Sequence, residues 1–256
     1  MRHLLIGSFA LAVALGFASP RLVAEEPTKQ DKVAEQEKEE GFKPLFDGES
    51  LDGWDGNPKL WRVEEGAIVG QTTDEEPLKL NEFLVWEGGE VADFELRLQF
   101  RITGPRANSG IQYRSKRMPE IGKWVAGGYQ ADIDATNQHM GILYEERGRG
   151  ILVNATEKAE IHPADGDKWE KKITDSLGKK EELLETVKPE EWIDYQIIAK
   201  GNHLVHKLNG KTVVDAVDHD EKHAARKGVL AFQIHVGPPM KIEFKNIRMK
   251  DLTEKK

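Results

Sequence analysis

The sequence predicts an all-β fold, a two-sheet antiparallel β-sandwich, on three observations. Strict alternation of apolar and polar residues recurs in separate runs, most cleanly at Phe94–Ile102, Tyr129–Asp134 and Trp192–Lys200. Tight-turn dipeptides punctuate the runs, among them Glu65-Gly66 and Asn209-Gly210, the latter a preferred type I′ pair. Helical periodicity is confined to one short stretch, Lys179–Val187. Many short strands with few helices fit two packed sheets.

The chain has 256 residues, a formal net charge of −8 and no cysteine. That length is within reach of a single large β domain. The acidic balance, with no basic stripe interleaved with aromatics, argues against nucleic acid as a partner. Without cysteine there is no disulfide framework, thiolate metal site or cysteine nucleophile. Residues 1–24 read as an export signal. Arg2 and His3 precede the apolar run Leu4–Phe17, and small residues near Ala18 and Ala24 offer cleavage sites. The run is short for a membrane span, so the mature protein is expected in the periplasm or outside the cell, with no stable membrane insertion after signal removal. Residues 25–41 are rich in Glu, Lys and Gln and cannot bury enough surface to offset their ordering entropy; they read as a charged linker.

The domain is expected over residues 42–252, with 253–256 as a tail. Phe42, Leu45, Phe46, Leu51 and Trp54 supply its first apolar anchors. Leu60–Thr72 reads as a hairpin turning at Glu65-Gly66, and Glu82–Trp86 as a short strand. In Phe94–Ile102 the aromatic and aliphatic side chains face one way and Glu95, Arg97, Gln99 and Arg101 the other. Ser109–Arg114 repeats the pattern, with Ile111 and Tyr113 inside. Gly141–Glu145 follows as a strand. Arg147–Pro189 is charged and irregular and is expected as a long surface excursion near the open sheet face. Strands resume at Trp192–Lys200, Lys211–Val217, Gly228–Val236 and Lys241–Leu252.

The organising strand is Tyr129–Asp134. Tyr129, Ala131 and Ile133 fall on its core face, and Gln130, Asp132 and Asp134 on the other. Two carboxylates and an amide in a row, with Arg, Gln and Glu side chains offered by neighbouring segments, suit a concave polar face that holds a small polar ligand such as a sugar. An ordinary solvated sheet face would alternate in the same way.

Several stretches, in order, carry a resemblance: LFDGESLDGW, WRVEEGAIVG, DFELRLQFRI, NSGIQYR, GYQADID, GILYE, EWIDYQIIAKGNHLVHKLNG, GVLAFQIHVG and IEFKNIRMKDL. Over roughly Gly41–Leu252 the chain resembles the 3-keto-disaccharide hydrolase domain family, a concanavalin- and laminin-G-like jelly roll. The resemblance implies a ligand site on the concave sheet and cleavage of glycosides already oxidised at sugar carbon 3. It carries over Glu95, Asn108, Ser109, Gln112, Arg114, Gln130, Asp132, Tyr144, Gln233 and His235 as polar site members. The charged insertion at Arg147–Pro189 and the Gln138-His139-Met140 approach depart from the family pattern.

A ketone at carbon 3 acidifies the carbon 2 proton, so the implied chemistry needs a base, a group that holds the enolate oxygen and an acid for the leaving oxygen. Asp132, His235 and Glu95 are the candidate catalytic residues. Asn108, Ser109, Gln112, Arg114, Gln130, Asp134, His139, Tyr144 and Gln233 are candidates for substrate contact, with Arg114 a candidate holder of the oxyanion. Asp132, Asp134, Glu95 and His235 also offer ligands to a divalent metal ion, the one cofactor the sequence suggests. Plainer readings stand beside these: Glu95 paired with an arginine, Asp134 as a turn cap, His139 as a surface loop residue. A two-carboxylate glycosidase is a competing enzyme. A non-catalytic carbohydrate-binding module is the alternative from another class, with Trp124, Trp169 and Tyr144 as its aromatic platform.

Overall fold

The computed structural model describes residues 41–75 and 77–254. The expected export signal, nearly all of the charged linker and the last two residues lie outside the described residues.

Short strands β1 (Phe42–Pro44) and β2 (Trp54–Asp55) open the domain. The hairpin β3 (Trp61–Glu64) to β4 (Ala67–Gln71) turns through Glu65 and Gly66, whose φ angles of 49° and 76° make the primed turn that matches strand twist. Next come β5 (Glu82–Trp86), β6 (Phe94–Thr103), β7 (Asn108–Arg117), β8 (Ala126–Asp134) and β9 (Leu143–Glu146). Residues 147–189 are more regular than their composition suggests. They form β10 (Gly150–Val153), β11 (Glu157–Pro163), β12 (Trp169–Ser176) and the one-turn helix α1 (Lys180–Leu183). The chain closes with β13 (Ile193–Lys200), β14 (His203–Leu208), β15 (Lys211–Asp218), β16 (Val229–Ile234) and β17 (Lys241–Asp251).

These strands build two sheets. One has seven strands in the order β10-β9-β8-β7-β16-β5-β2. The other has ten, in the order β12-β11-β15-β14-β13-β6-β17-β4-β3, with β1 added on β17. The architecture is the all-β sandwich expected from the alternation, in the jelly-roll form that the resemblance implied. Pairing is antiparallel apart from β11, which runs parallel to β15. The supposed surface excursion therefore widens both sheets. In β11, Ala159 and Ile161 are buried while Glu160 and His162 point outward, so charge at the outward positions masked an ordinary half-buried strand.

The core lies between the sheets. Phe94, Leu96, Leu98, Phe100 and Ile102 of β6 face Ile111, Tyr113, Tyr129, Ile133, Phe232 and Ile234 of the other sheet. Phe232 and Phe244 stack across the gap at 4.1 Å between ring centroids. Burying one such ring contributes about 1.5–3 kcal/mol. A one-residue slip of β8 would turn Tyr129 and Ile133 to the outside, so core burial fixes which side chains reach the outer face.

One end of the sandwich is closed by a buried ionic cluster. Arg149 meets Glu145 and Asp218 at 2.7 Å each and Asp220 at 3.4 Å, and the Tyr129 hydroxyl donates to Asp218. The Arg149 side chain is only 5% exposed.

Candidate functional site

The outer face of the seven-stranded sheet carries a cleft of about 440 Å³. Its floor is a hydrogen-bonded row of side chains from three adjacent strands. Gln130 Oε1 accepts from Gln112 Nε2 at 2.9 Å and from Gln233 Nε2 at 3.0 Å. With both lone pairs occupied, Gln130 presents Nε2 to Asp132 Oδ1 at 2.8 Å. Asn108 Nδ2 donates to Asp132 Oδ2 at 3.2 Å. The register explains the grouping. Gln112 lies opposite Gln130 and Gly110 opposite Asp132 in the β7–β8 ladder. Gly110 is needed there because a Cβ would lie 2.4 Å from the Gln130 side chain.

Asp132 is 5% exposed. Burial pushes its carboxyl up to about 8, against the hydrogen bonds from Gln130 and Asn108; the charges of Asp134 and Glu146 push the same way as burial. Glu146, from β9, is also raised above the usual carboxylate range, mainly by burial. Its Oε1 accepts from Asn81 Nδ2 and its Oε2 from Gln233 Nε2, both at 3.4 Å. The Tyr144 hydroxyl is raised by burial first and then by Glu146 and Asp132. Gln233 Oε1 is buried and takes no hydrogen bond from the described residues.

Asn108, Gln130, Asp132, Asp134, His139, Tyr144, Gln233 and His235 all line this cleft. His235 lies just beyond the end of β16, and its Nδ1 donates to the Val236 carbonyl at 2.5 Å. That bond leaves Nε2 as the ring atom available to a ligand. Asp134 organises the following turn as well. Its Oδ1 accepts from Thr136 N and its Oδ2 from His139 N, each at 2.8 Å.

Three sequence candidates fall elsewhere, and a fourth belongs to the floor without reaching its surface. Glu95 is on β6 in the ten-stranded sheet, where it meets Arg97 at 2.6 Å and accepts from Gln196 at 2.5 Å. Its ion pair is with an arginine two residues along the same strand, and it is remote from the cleft in the fold. Arg114 sits in a β-bulge of β7 at φ 49°, which breaks the alternation. Its buried guanidinium donates to the carbonyls of Ala92 and Gly201 at 2.7 Å and pairs with Asp93 at 2.9 Å. Arg114 thus clamps the domain and holds no oxyanion. Ser109 faces inward and donates to the Gln233 carbonyl at 2.6 Å. Gln112 is on the cleft side but wholly buried beneath Gln130.

The metal set does not converge either. Both oxygens of Asp132 accept from amides, Asp134 is held by its turn, and Glu95 belongs to the other sheet. Sequence reasoning missed Glu146, Asn81 and Arg106, which also line the cleft. Glu146 was discoverable, since it follows Tyr144 by two residues on one strand and shares its face.

The fold and this polar floor define a jelly-roll domain of the carbohydrate-active kind. Residues 41–250 match the 3-keto-alpha-glucoside-1,2-lyase-like domain, and the chain belongs to that family. Two proposed glycosyl hydrolases of Parabacteroides distasonis ATCC 8503 have similar structures. One is 21% identical with a TM-score of 0.54, over 82% of this chain and 99% of that one. The second is 20% identical with a TM-score of 0.54, over 86% of this chain and 97% of its own. The carbohydrate-binding module CBM66 from Bacillus subtilis overlaps more loosely, at a TM-score of 0.49 and 14% identity, over 77% of this chain and 95% of that module. The comparison with curated proteins found no match.

Proposed function

We propose that this domain cleaves 3-keto glycosides by elimination, with Asp132 as the base. The single observation that carries the reading is the buried Asp132 carboxyl, raised to about 8 and held by Gln130 and Asn108 at the bottom of the cleft. A base abstracting a proton next to a ketone works best with an affinity near the operating pH. Family membership supports the substrate class.

In the proposed reaction the ionised Asp132 removes the proton from carbon 2. The C–H electrons move to the carbon 3 carbonyl and form an enolate. Asn108 and Arg106, which line the cleft, are the donors assigned to that oxygen in this reading. The enolate then collapses, a carbon 1–carbon 2 double bond forms and the carbon 1–oxygen bond breaks. Glu146, raised by burial and so able to keep its proton, or His235 through Nε2, protonates the departing oxygen. Water adding across the new double bond completes hydrolysis. Protons balance: water's oxygen bonds carbon 1, the proton it releases restores the acid, and Asp132, its proton exchanged with solvent, protonates carbon 2 in that last step.

A pure sugar-binding module usually presents an aromatic platform. Tyr144 lines the cleft, but Trp124 and Trp169 do not; Trp124 instead bonds Asp55 and Trp169 borders a different hollow. This favours turnover over binding alone. The test is incubation with a 3-keto-glucoside and with its unoxidised parent. Cleavage of the keto sugar alone is expected. Binding of both without cleavage would establish the binding-module alternative. Export to the periplasm or beyond with removal of the N-terminal segment is part of the proposal and rests on the apolar N-terminal run; N-terminal sequencing that still found Met1 on the exported protein would overturn the removal, and its retention in the cytoplasmic fraction the export.

A further inference from the structure

The ten-stranded sheet, which does not carry the cleft, brings together three metal-ligating side chains that the proposed reaction does not use. Glu160 and His162 alternate outward from β11. The parallel partner β15 runs in register with β11 as far as Ile161 opposite Asp218, and His219 N donates to the Ile161 carbonyl at 2.8 Å. Continuing that register sets His219 beside His162. Their rings stack at 4.9 Å between centroids and 14° between planes, and Glu160 Oε2 is 3.0 Å from His162 Nε2. One ligand atom from each of the three lies within 4.8 Å of the others.

We propose that Glu160, His162 and His219 bind a divalent transition ion of the zinc class. Zinc takes imidazole nitrogen and carboxylate oxygen at about 2.0–2.2 Å, so tetrahedral ligands sit ~3.3 Å apart. The Glu160–His162 pair is already near that spacing, and the two stacked imidazoles, on partly exposed side chains, would rotate to bring their nitrogens onto the ion. Glu170 lies opposite His162 in the β11–β12 ladder and can supply a fourth ligand in place of water. Lys172 Nζ, 3.7 Å from Glu160, is the competing cation, but its side chain is 70% exposed and can swing away. Two imidazoles with one carboxylate suit zinc, nickel or copper and disfavour calcium and magnesium, which take more oxygen ligands. The ion would pin β11, a strand of the insertion, to β15, its parallel partner in the sheet.

The test uses the full chain, stripped with chelator and dialysed, titrated calorimetrically with zinc chloride and separately with calcium chloride at pH 7.5. One equivalent of zinc and no calcium is the expected result, with a rise in the thermal midpoint. His162→Gln and His219→Gln, each checked for folding by circular dichroism, should weaken zinc by at least ~10-fold, the low end for disturbing even a ligand's supporting partner. They should also lose the thermal shift. His203→Gln, an exposed histidine paired with Asp215 on the same sheet, should leave both unchanged. No zinc binding, equal binding of calcium, or zinc binding that survives both ligand variants would overturn the assignment. Cleavage at the cleft is a separate measurement, so failure here leaves the proposed reaction standing and the converse also holds.

Discussion

Gln130 Nε2 donates to Asp132 Oδ1 at 2.8 Å while Gln130 Oε1 accepts from Gln112 and Gln233, so one amide is oriented by two others to face one carboxylate. Most of the driving force against ionising Asp132 is burial, and this oriented amide partly offsets it. The balance leaves a base that is strong when ionised and still reachable near neutral pH. Gln130→Leu should remove that donor and move the ionisation of the base above about 8. Activity at pH 7 should fall by roughly 10-fold, because raising a carboxyl's pKa by about one further pH unit cuts its ionised fraction by that factor. A pH–rate profile of the variant checks it.

The wild-type profile follows from the same group. With its carboxyl at about 8, Asp132 is roughly one-tenth ionised at pH 7. The kcat/KM for a 3-keto glycoside should rise close to 10-fold per pH unit below pH 7 and level off above about 8. An activity already flat from pH 5 to 7 would show that another group is the base.

Stability should respond in the opposite sense. The folded-state value of Asp132 is raised above its unfolded value of 3.8 to about 8. Its contribution is fully favourable below the unfolded value and is lost as pH rises through the folded one, by about 1.4 kcal/mol per pH unit across that window at most. Asp132→Asn removes this burden, and a flip of the Asn108 amide supplies the acceptor its new N–H needs. Denaturant titrations should find the variant progressively more stable than wild type from pH 5 to pH 8, and the gap closing toward pH 4.

Glu95 provides a negative control. Because it pairs with Arg97 in the ten-stranded sheet, Glu95→Gln should leave cleavage within about 2-fold of wild type and change stability by no more than ~1 kcal/mol. A large loss of activity with intact folding would contradict its placement outside the site.

Arg149 should matter to folding far more than any surface arginine. Its guanidinium is shared by Glu145 and Asp218, each at most 8% exposed, so Arg149→Met strands two buried carboxylates. A loss of about 3–5 kcal/mol is expected in urea titration, the range for breaking a buried ionic group from one side.

Much of this molecule is readable from alternation. Tyr129 and Ile133 inward with Gln130 and Asp132 outward is a period-2 pattern, and core burial enforces it, so the face bearing the cleft was evident. The resemblance added which neighbouring strands share that face. What alternation cannot show is which sheet a strand joins. Glu95 has the same outward phase as Gln130 but lies on β6, in the other sheet, because strand order is set by long-range pairing. Nor does alternation survive a bulge: Arg114 continues the phase of Gln112 in sequence, yet its positive φ turns it into a clamp. The strands β11 and β12 were hidden for a different reason, since charged outward positions gave them the composition of a loop. Glu160, His162 and His219 become neighbours only through the parallel pairing that follows.

The most direct test of Asp132 as an eliminating base is the fate of the carbon 2 proton. Wild-type protein and Asp132→Asn are incubated in D2O with a 3-keto-glucoside, and the released sugar is examined by NMR and mass spectrometry. Elimination followed by water addition predicts one deuterium at carbon 2 of the product from the wild type. The variant should cleave at least ~100-fold more slowly, the size expected for loss of a general base. Cleavage by the wild type that leaves hydrogen at carbon 2, or an Asp132→Asn variant as fast as wild type, would contradict the account.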